Sequence, residues 1–280
     1  MTRPQPETFG DIEDTAKPLA VLVHGFPDTP HTWRHLGPRL AERGYRVVAP
    51  WLPGYDGRVD KNVSVGTYVR RLLDVRRECG GDEAILIGHD WGAHAGYGIV
   101  AAEPGAFRRY VAMAVPPVAA LGTGMFTYPQ LKRSFYVWFI QQVGLAETVF
   151  LQPGFWESLW SDWSPGYDPS DDVAQLRKYV TANNIGNVIN PYRASFNPQF
   201  ADLDALPEEA AAMQPPQVPT LYLHGATDGG MGADLLDEFD VSVHLPVAGS
   251  AFEIVDGVGH FLHLEHPEPI ATKICDWLDG

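Results

Sequence analysis

Six short, nearly unbroken apolar runs punctuate the chain: LAVLVHG (19–25), YRVVAP (45–50), EAILIGHD (83–90), RYVAMAV (109–115), PTLYLHG (219–225) and AFEIVDG (251–257). A strand with one wet face alternates apolar and polar positions, whereas a strand covered on both faces is apolar throughout. Runs of this kind, bounded by Gly, Pro and Asp, therefore predict strands buried on both faces, and the segments between them are long enough for crossover helices. The expected fold class is α/β, with a mostly parallel, doubly wound sheet. Ahead of the first run, TFGDIED (8–14) is expected to add an edge strand.

The rhythm breaks between about Pro116 and Pro216. Four of the eight tryptophans fall there (Trp138, Trp156, Trp160 and Trp163), alongside RSFYVWFIQQ and DDVAQLRKYV. This predicts a helical cap insertion over 116–212, set on a core domain made of 1–115 and 213–280, with MQPPQVP (213–219) returning the chain to the sheet. An aromatic stripe is by default packing. A lid over the carboxyl ends of parallel strands is also how an apolar pocket is walled, because ligands of such sheets bind there.

A length of 280 residues suits one large domain with an insertion, and 45% hydrophobic with 20% charged residues is the balance of an ordinary globular chain. The formal charge of −15 argues against nucleic acid and anionic membrane partners, which require clustered Lys and Arg. No run approaches the roughly 20 apolar residues of a membrane span, and the polar N-terminus lacks the pattern of a secretory signal. Two cysteines, Cys79 and Cys275, form no C-x-x-C pattern, so no disulfide framework or thiolate metal site is expected. The expected setting is the cytoplasm, and the assembly is left open, with a homodimer as one option.

The run at 83–87 leads into GHDWG (88–92) and then the small-residue stretch AHAGYGIVAA. A strand, a turn flanked by glycines and a helix is the context of a nucleophile elbow, with Asp90 where serine would stand in G-x-S-x-G. Taken alone, the same five residues also fit an aspartate capping a helix. The partners decide between the two. In LVHGFPDTPHTW, Gly25 permits a tight turn that aims the Phe26 N–H at Asp90, to join the Trp91 N–H in an oxyanion hole. LYLHGATDGG places Asp228 just past a strand, and VDGVGHFLHLEHPE places His260 in a glycine-flanked loop after the last strand. Nucleophile, acid and base then follow in the order Asp90, Asp228, His260 expected of this architecture. His24, His263 and His266 read as structural, packing or surface residues.

Taken together, H-G-F-P, G-H-D-W-G, the cap insertion, G-x-x-D and G-H-F-L-H-x-E-x-P-E make the chain resemble the α/β-hydrolases over nearly its whole length. Within that superfamily it is similar to the epoxide hydrolases and haloalkane dehalogenases, whose nucleophile is aspartate. The resemblance implies attack on a saturated carbon, an ester on Asp90, and hydrolysis of that ester by water activated by His260. No cofactor or metal is implied. The leaving group separates the two families. A halide needs only N–H donors, whereas an epoxide oxygen needs an acid, which in epoxide hydrolases comes from two cap tyrosines. NVINPYRASFNP resembles the cap pattern N-x-Y-R and points to Tyr192, and RSFYVWFIQQVGLAE resembles the helix that supplies the other and points to Tyr136. Phe26 stands where many haloalkane dehalogenases carry asparagine, and Ala93, His94 and Ala95 lack the arginines with which fluoroacetate-type dehalogenases grip a carboxylate. In APWLPGYDG (49–57), Trp51 departs from the aspartate usual in the family. The expected function is an epoxide hydrolase converting a small apolar epoxide and water to a vicinal diol. Haloalkane dehalogenation and non-catalytic ligand binding are the alternatives.

Overall fold

The computed structural model describes residues 4–55 and 62–280. Its centre is a seven-stranded sheet in the order β1-β3-β2-β4-β5-β6-β7. The strands are β1 (Glu7–Phe9), β2 (Leu19–Val23), β3 (Arg46–Ala49), β4 (Ala84–His89), β5 (Arg109–Met113), β6 (Thr220–Gly225) and β7 (Ala251–Val255). All pairs are parallel except β1 with β3. Each of the six apolar runs becomes a strand, and the N-terminal segment adds the antiparallel edge strand β1.

Continuous hydrophobicity has the predicted cause in the middle of the sheet. Successive residues of β2 point to opposite faces: Leu19, Val21 and Val23 enter one buried apolar cluster while Ala20 and Leu22 enter the other. In β4, Ala84 and Leu86 face the first cluster and Ile85 and Ile87 the second. β7 departs from the expectation. It ends the sheet, and Ala251 to Ile254 are exposed, so its run is apolar without being covered on both faces.

In the core, α1 (Leu36–Glu42) and α13 (Pro267–Asp279) pack on one face of the sheet, and α2 (Val65–Cys79) and α3 (Trp91–Ala102) on the other. Between β5 and β6 the chain runs through α4 (Val118–Leu121), α5 (Tyr128–Arg133), α6 (Phe135–Ile140), α7 (Leu145–Phe150), α8 (Phe155–Trp163), α9 (Ser170–Tyr179), α10 (Ile185–Ala194) and α11 (Leu206–Ala211). The short α12 (Leu262–Glu265) precedes α13. Tyr136, Phe150, Trp156, Trp160, Trp163 and Tyr192 belong to the same buried cluster as α2 and α3, so the insertion is packed onto the core rather than hung from it. α11 packs directly on α2 and α3. A Cβ on Gly66 would lie 2.3 Å from the Ala205 carbonyl oxygen, so that close approach requires glycine.

Trp51 spans two segments: its Nε1 donates to the Gln5 carbonyl at 2.9 Å and its ring lies 4.2 Å from that of Tyr179. The Asp56 and Gly57 that follow it lie outside the described residues. Among the described residues, no helix is long and apolar enough to cross a membrane.

Candidate active site

Asp90 sits between β4 and α3 with φ 51° and ψ −120°. This left-handed backbone is costly for a residue with a Cβ and persists only where its surroundings enforce it. The flanking glycines make the turn compatible with its neighbours. A Cβ on Gly88 would meet the Gly92 carbonyl oxygen at 2.5 Å, and one on Gly92 would meet that of Val23 at 2.2 Å. Gly25 is equally constrained, since its Cβ would lie 2.4 Å from Asp90 Cβ. The loop after β2 is thus pressed against the elbow, and the Phe26 N–H donates to Asp90 Oδ1 at 2.6 Å. The Trp91 N–H also bonds the Asp90 carboxylate. Burial pushes the Asp90 carboxyl up to about 6, against the opposing pull of His260 and these two N–H groups.

His260 follows β7 and is buried. Its Nδ1–H donates to Asp228 Oδ2 at 2.8 Å, and its Nε2 faces Asp90 Oδ2 at 3.7 Å without a hydrogen-bond partner. Asp228 is fixed in turn, because its Oδ1 accepts the N–H groups of Gly230 and Met231, both at 2.8 Å. Burial works against a charged His260 imidazole, but the carboxylates of Asp228 and Asp90 outweigh it and raise the pKa above the ordinary histidine value.

The two cap tyrosines expected from the sequence line the same cavity as Asp90. That cavity has a volume of about 390 Å³, and its walls are mostly apolar. The rings of Tyr136 and Tyr192 stand edge to face with centroids 5.6 Å apart, and the Tyr192 hydroxyl has no hydrogen-bond partner. Burial, reinforced by the Asp90 charge, raises both phenols well above 10, so both are neutral donors at neutral pH. Tyr192 is held by its own motif. On α10, Asn190 Nδ2 donates to the Val63 and Phe200 carbonyls, both at 2.8 Å. Arg193 grips both oxygens of Glu147 at 2.6 and 3.0 Å. The structure therefore brings all seven expected residues, Phe26, Asp90, Trp91, Tyr136, Tyr192, Asp228 and His260, into one neighbourhood.

The sequence pattern of the alpha/beta hydrolase family matches residues 20–273. The chain belongs to this family. A relative named epoxide hydrolase from Caballeronia sordidicola is 33% identical to this hydrolase, over 95% of the chain and 89% of the relative. Epoxide hydrolase A of Mycobacterium tuberculosis is 25% identical over 94% and 91%. Two solved structures confirm the fold. An epoxide hydrolase from Vigna radiata superposes with a TM-score of 0.77 at 23% identity, covering 97% of this chain and 92% of that one. A haloalkane dehalogenase variant from Bradyrhizobium elkanii superposes with 0.76 at 20% identity, covering 98% and 92%.

Several residues that organise the hydrolase's site are not evident in the sequence. The Trp163 carbonyl at the end of α8 accepts the N–H groups of His260 at 3.0 Å and of Gly229 at 3.1 Å, tying the loops that carry His260 and Asp228 to the insertion. Next to it, Ser164 Oγ accepts the Phe261 N–H at 3.0 Å and donates to Glu265 at 2.7 Å. Tyr55 donates to the Gly25 carbonyl at 3.2 Å, bracing the Phe26 turn from behind. These are mostly backbone contacts made across the fold, so no residue-type pattern announces them.

The other histidines fall as expected or more deeply. His24 Nε2 accepts the Leu52 N–H at 3.2 Å, and burial pulls its pKa down to about 4, which marks it as structural. His266 is exposed. His263 is buried, bonded to Thr32 at 2.5 Å and stacked on Trp33. Among the described residues, Asp28, His89 and His263 form the one group whose donor atoms, all within 4.8 Å of one another, are close enough to share an ion. Burial, reinforced by the Asp172 charge, pushes the Asp28 carboxyl up to about 8, so it carries its own proton at neutral pH, and its Oδ2 has no hydrogen-bond partner.

Proposed function

We propose that this hydrolase opens small apolar epoxides through an ester on Asp90 and hydrolyses that ester to a vicinal diol, with residues 116–212 acting as a cap domain over the core of 1–115 and 213–280. The observation that carries the reading is the convergence of Asp90, Tyr136 and Tyr192 on one apolar cavity, with His260 Nε2 directed at Asp90 from behind. Asp90 Oδ1 lies against the Phe26 N–H, which leaves Oδ2 as the attacking oxygen. As the new C–O bond forms, the ring C–O bond breaks and the departing alkoxide takes a proton from Tyr136 or Tyr192.

In the second half, His260 removes a proton from water, and the hydroxide adds to Asp90 Cγ. The oxyanion that develops is held by the Phe26 and Trp91 N–H groups. When the tetrahedral centre collapses, the diol oxygen leaves with the proton held by His260. The proton remaining on the Asp90 carboxyl restores the ionised tyrosine, and all atoms balance. Asp228 fixes the His260 tautomer and favours the transient imidazolium. A serine in this elbow would serve carbonyl substrates. A carboxylate suits saturated carbon because the product is an ordinary ester rather than an anhydride.

The curated relatives named epoxide hydrolase support the first reading. One observation favours haloalkane dehalogenation: the Trp91 indole in the cavity wall has a buried N–H without a partner, a ready donor for a halide. Incubation with a panel of aryl and alkyl epoxides and of haloalkanes separates the readings. Diol from the epoxides is expected. Halide release alone would favour the second, and ligand binding without turnover would favour a non-catalytic protein.

A further inference from the structure

The cavity around Asp90 is mostly apolar, with Val65, Val118, Leu121, Met125, Val137 and Met213 among its walls, yet among the described residues one other carboxylate lines it: Glu209 of α11. Its side chain is fixed in place. Oε2 accepts the Gly66 N–H at 2.7 Å, in the first turn of α2, where a helix presents unpaired donors and the positive end of its dipole. The neighbouring Glu208 is neutralised by Arg70 at 3.0 Å, whereas among the described residues no cation pairs with Glu209. Among the described residues no Lys or Arg lines the cavity, and Asp90 adds a second negative charge. His94, stacked on Trp91, contributes no compensating positive charge, because burial pulls its pKa down to about 4.

A carboxylate that no described cation neutralises, in the wall of a mostly apolar cavity, discriminates by charge. It repels an anionic tail and attracts a cation or an N–H or O–H donor. We propose that Glu209 is a specificity-determining residue of this cavity, selecting epoxides whose apolar body ends, away from the ring, in an ammonium or a hydrogen-bond donor, and rejecting those that end in a carboxylate. The inference rests on the reaction proposed above and adds the substrate's remote group to it. The formal charge of −15 acts in the same direction at longer range.

The test uses three terminal epoxides of equal chain length, one ending in methyl, one in a primary ammonium and one in a carboxylate. Their kcat/KM values are compared in the wild-type protein and in Glu209→Gln, whose amide oxygen still accepts the Gly66 N–H. In the wild type, ammonium is expected to exceed methyl by roughly 2- to 5-fold, and methyl to exceed carboxylate by a similar factor. Both ratios should shrink as salt is raised, a measurement that needs no variant. In Glu209→Gln both ratios should fall toward one, whatever the absolute rate on the methyl probe. Ratios unchanged by the substitution, or insensitive to salt, would overturn the assignment to Glu209. Absence of turnover on all three probes would instead overturn the proposed reaction, and this inference with it.

Discussion

Replacing Gly25 by alanine tests the proposed oxyanion hole by geometry alone, without substituting a proposed reacting side chain. The added methyl would lie 2.4 Å from Asp90 Cβ, 2.5 Å from its Oδ1 and 2.7 Å from the His89 carbonyl oxygen. Ordinary carbon contacts begin near 3.5 Å, so the loop must retreat by about 1 Å. The Phe26 N–H, now 2.6 Å from Oδ1, would then move to the limit of hydrogen bonding or past it. Removing one oxyanion donor costs about 10²- to 10³-fold in kcat. Overpacking a buried contact costs about 1–3 kcal/mol, which for a chain of this size lowers Tm by roughly 2–10 °C. The assay is steady-state hydration of an aryl epoxide such as styrene oxide, with Tm followed by circular dichroism. Gly105→Ala, whose Cβ would meet nothing within 4 Å, serves as the control and should change neither. A Gly25→Ala protein with kcat within about threefold of wild type would refute the role given to the Phe26 N–H.

Two further outcomes follow from the same geometry. Tyr192→Phe should lower kcat/KM on epoxides by about 10²- to 10⁴-fold, the usual worth of a general acid, without lowering Tm, because the lost hydroxyl has no partner to leave unpaired. Steady-state kinetics and thermal melts on the one variant check both halves, and a Tm that fell with the rate would point to a packing role instead. The proposed attack needs an ionised Asp90, which burial holds at about 6, so kcat/KM should fall as pH drops through about 6 and approach tenfold per unit below it. A pH profile flat down to pH 5 would contradict that environment.

What the sequence makes legible is written in residue type and local spacing. Gly88, Asp90 and Gly92 together state the elbow, and the positive φ of Asp90 is the backbone those glycines accommodate. Asn190 and Arg193 flank Tyr192 for a reason the structure supplies, since both anchor the helix that carries it. Period and continuity of hydrophobicity located the strands, but they do not distinguish a covered strand from an edge, which is why β7 was expected to be buried and is not. Contacts through backbone groups stay hidden altogether. The Trp163 carbonyl holds the loops of His260 and Asp228 together, yet in the sequence Trp163 is one of several packing aromatics. Glu209 is similarly silent, because only the approach of α11 to Gly66 turns it toward the cavity.

The ester on Asp90 is the central claim, and His260→Gln tests it most directly. With the base removed, alkylation can proceed but water is not activated, so the intermediate should accumulate. Intact-protein mass spectrometry after incubation with an epoxide should find the chain heavier by the full mass of that epoxide, with the adduct on the peptide containing Asp90 and absent from His260→Gln/Asp90→Asn. An adduct from a haloalkane lighter by one hydrogen halide would assign the same nucleophile to dehalogenation. An unmodified His260→Gln protein that still forms diol at the wild-type rate would contradict the account.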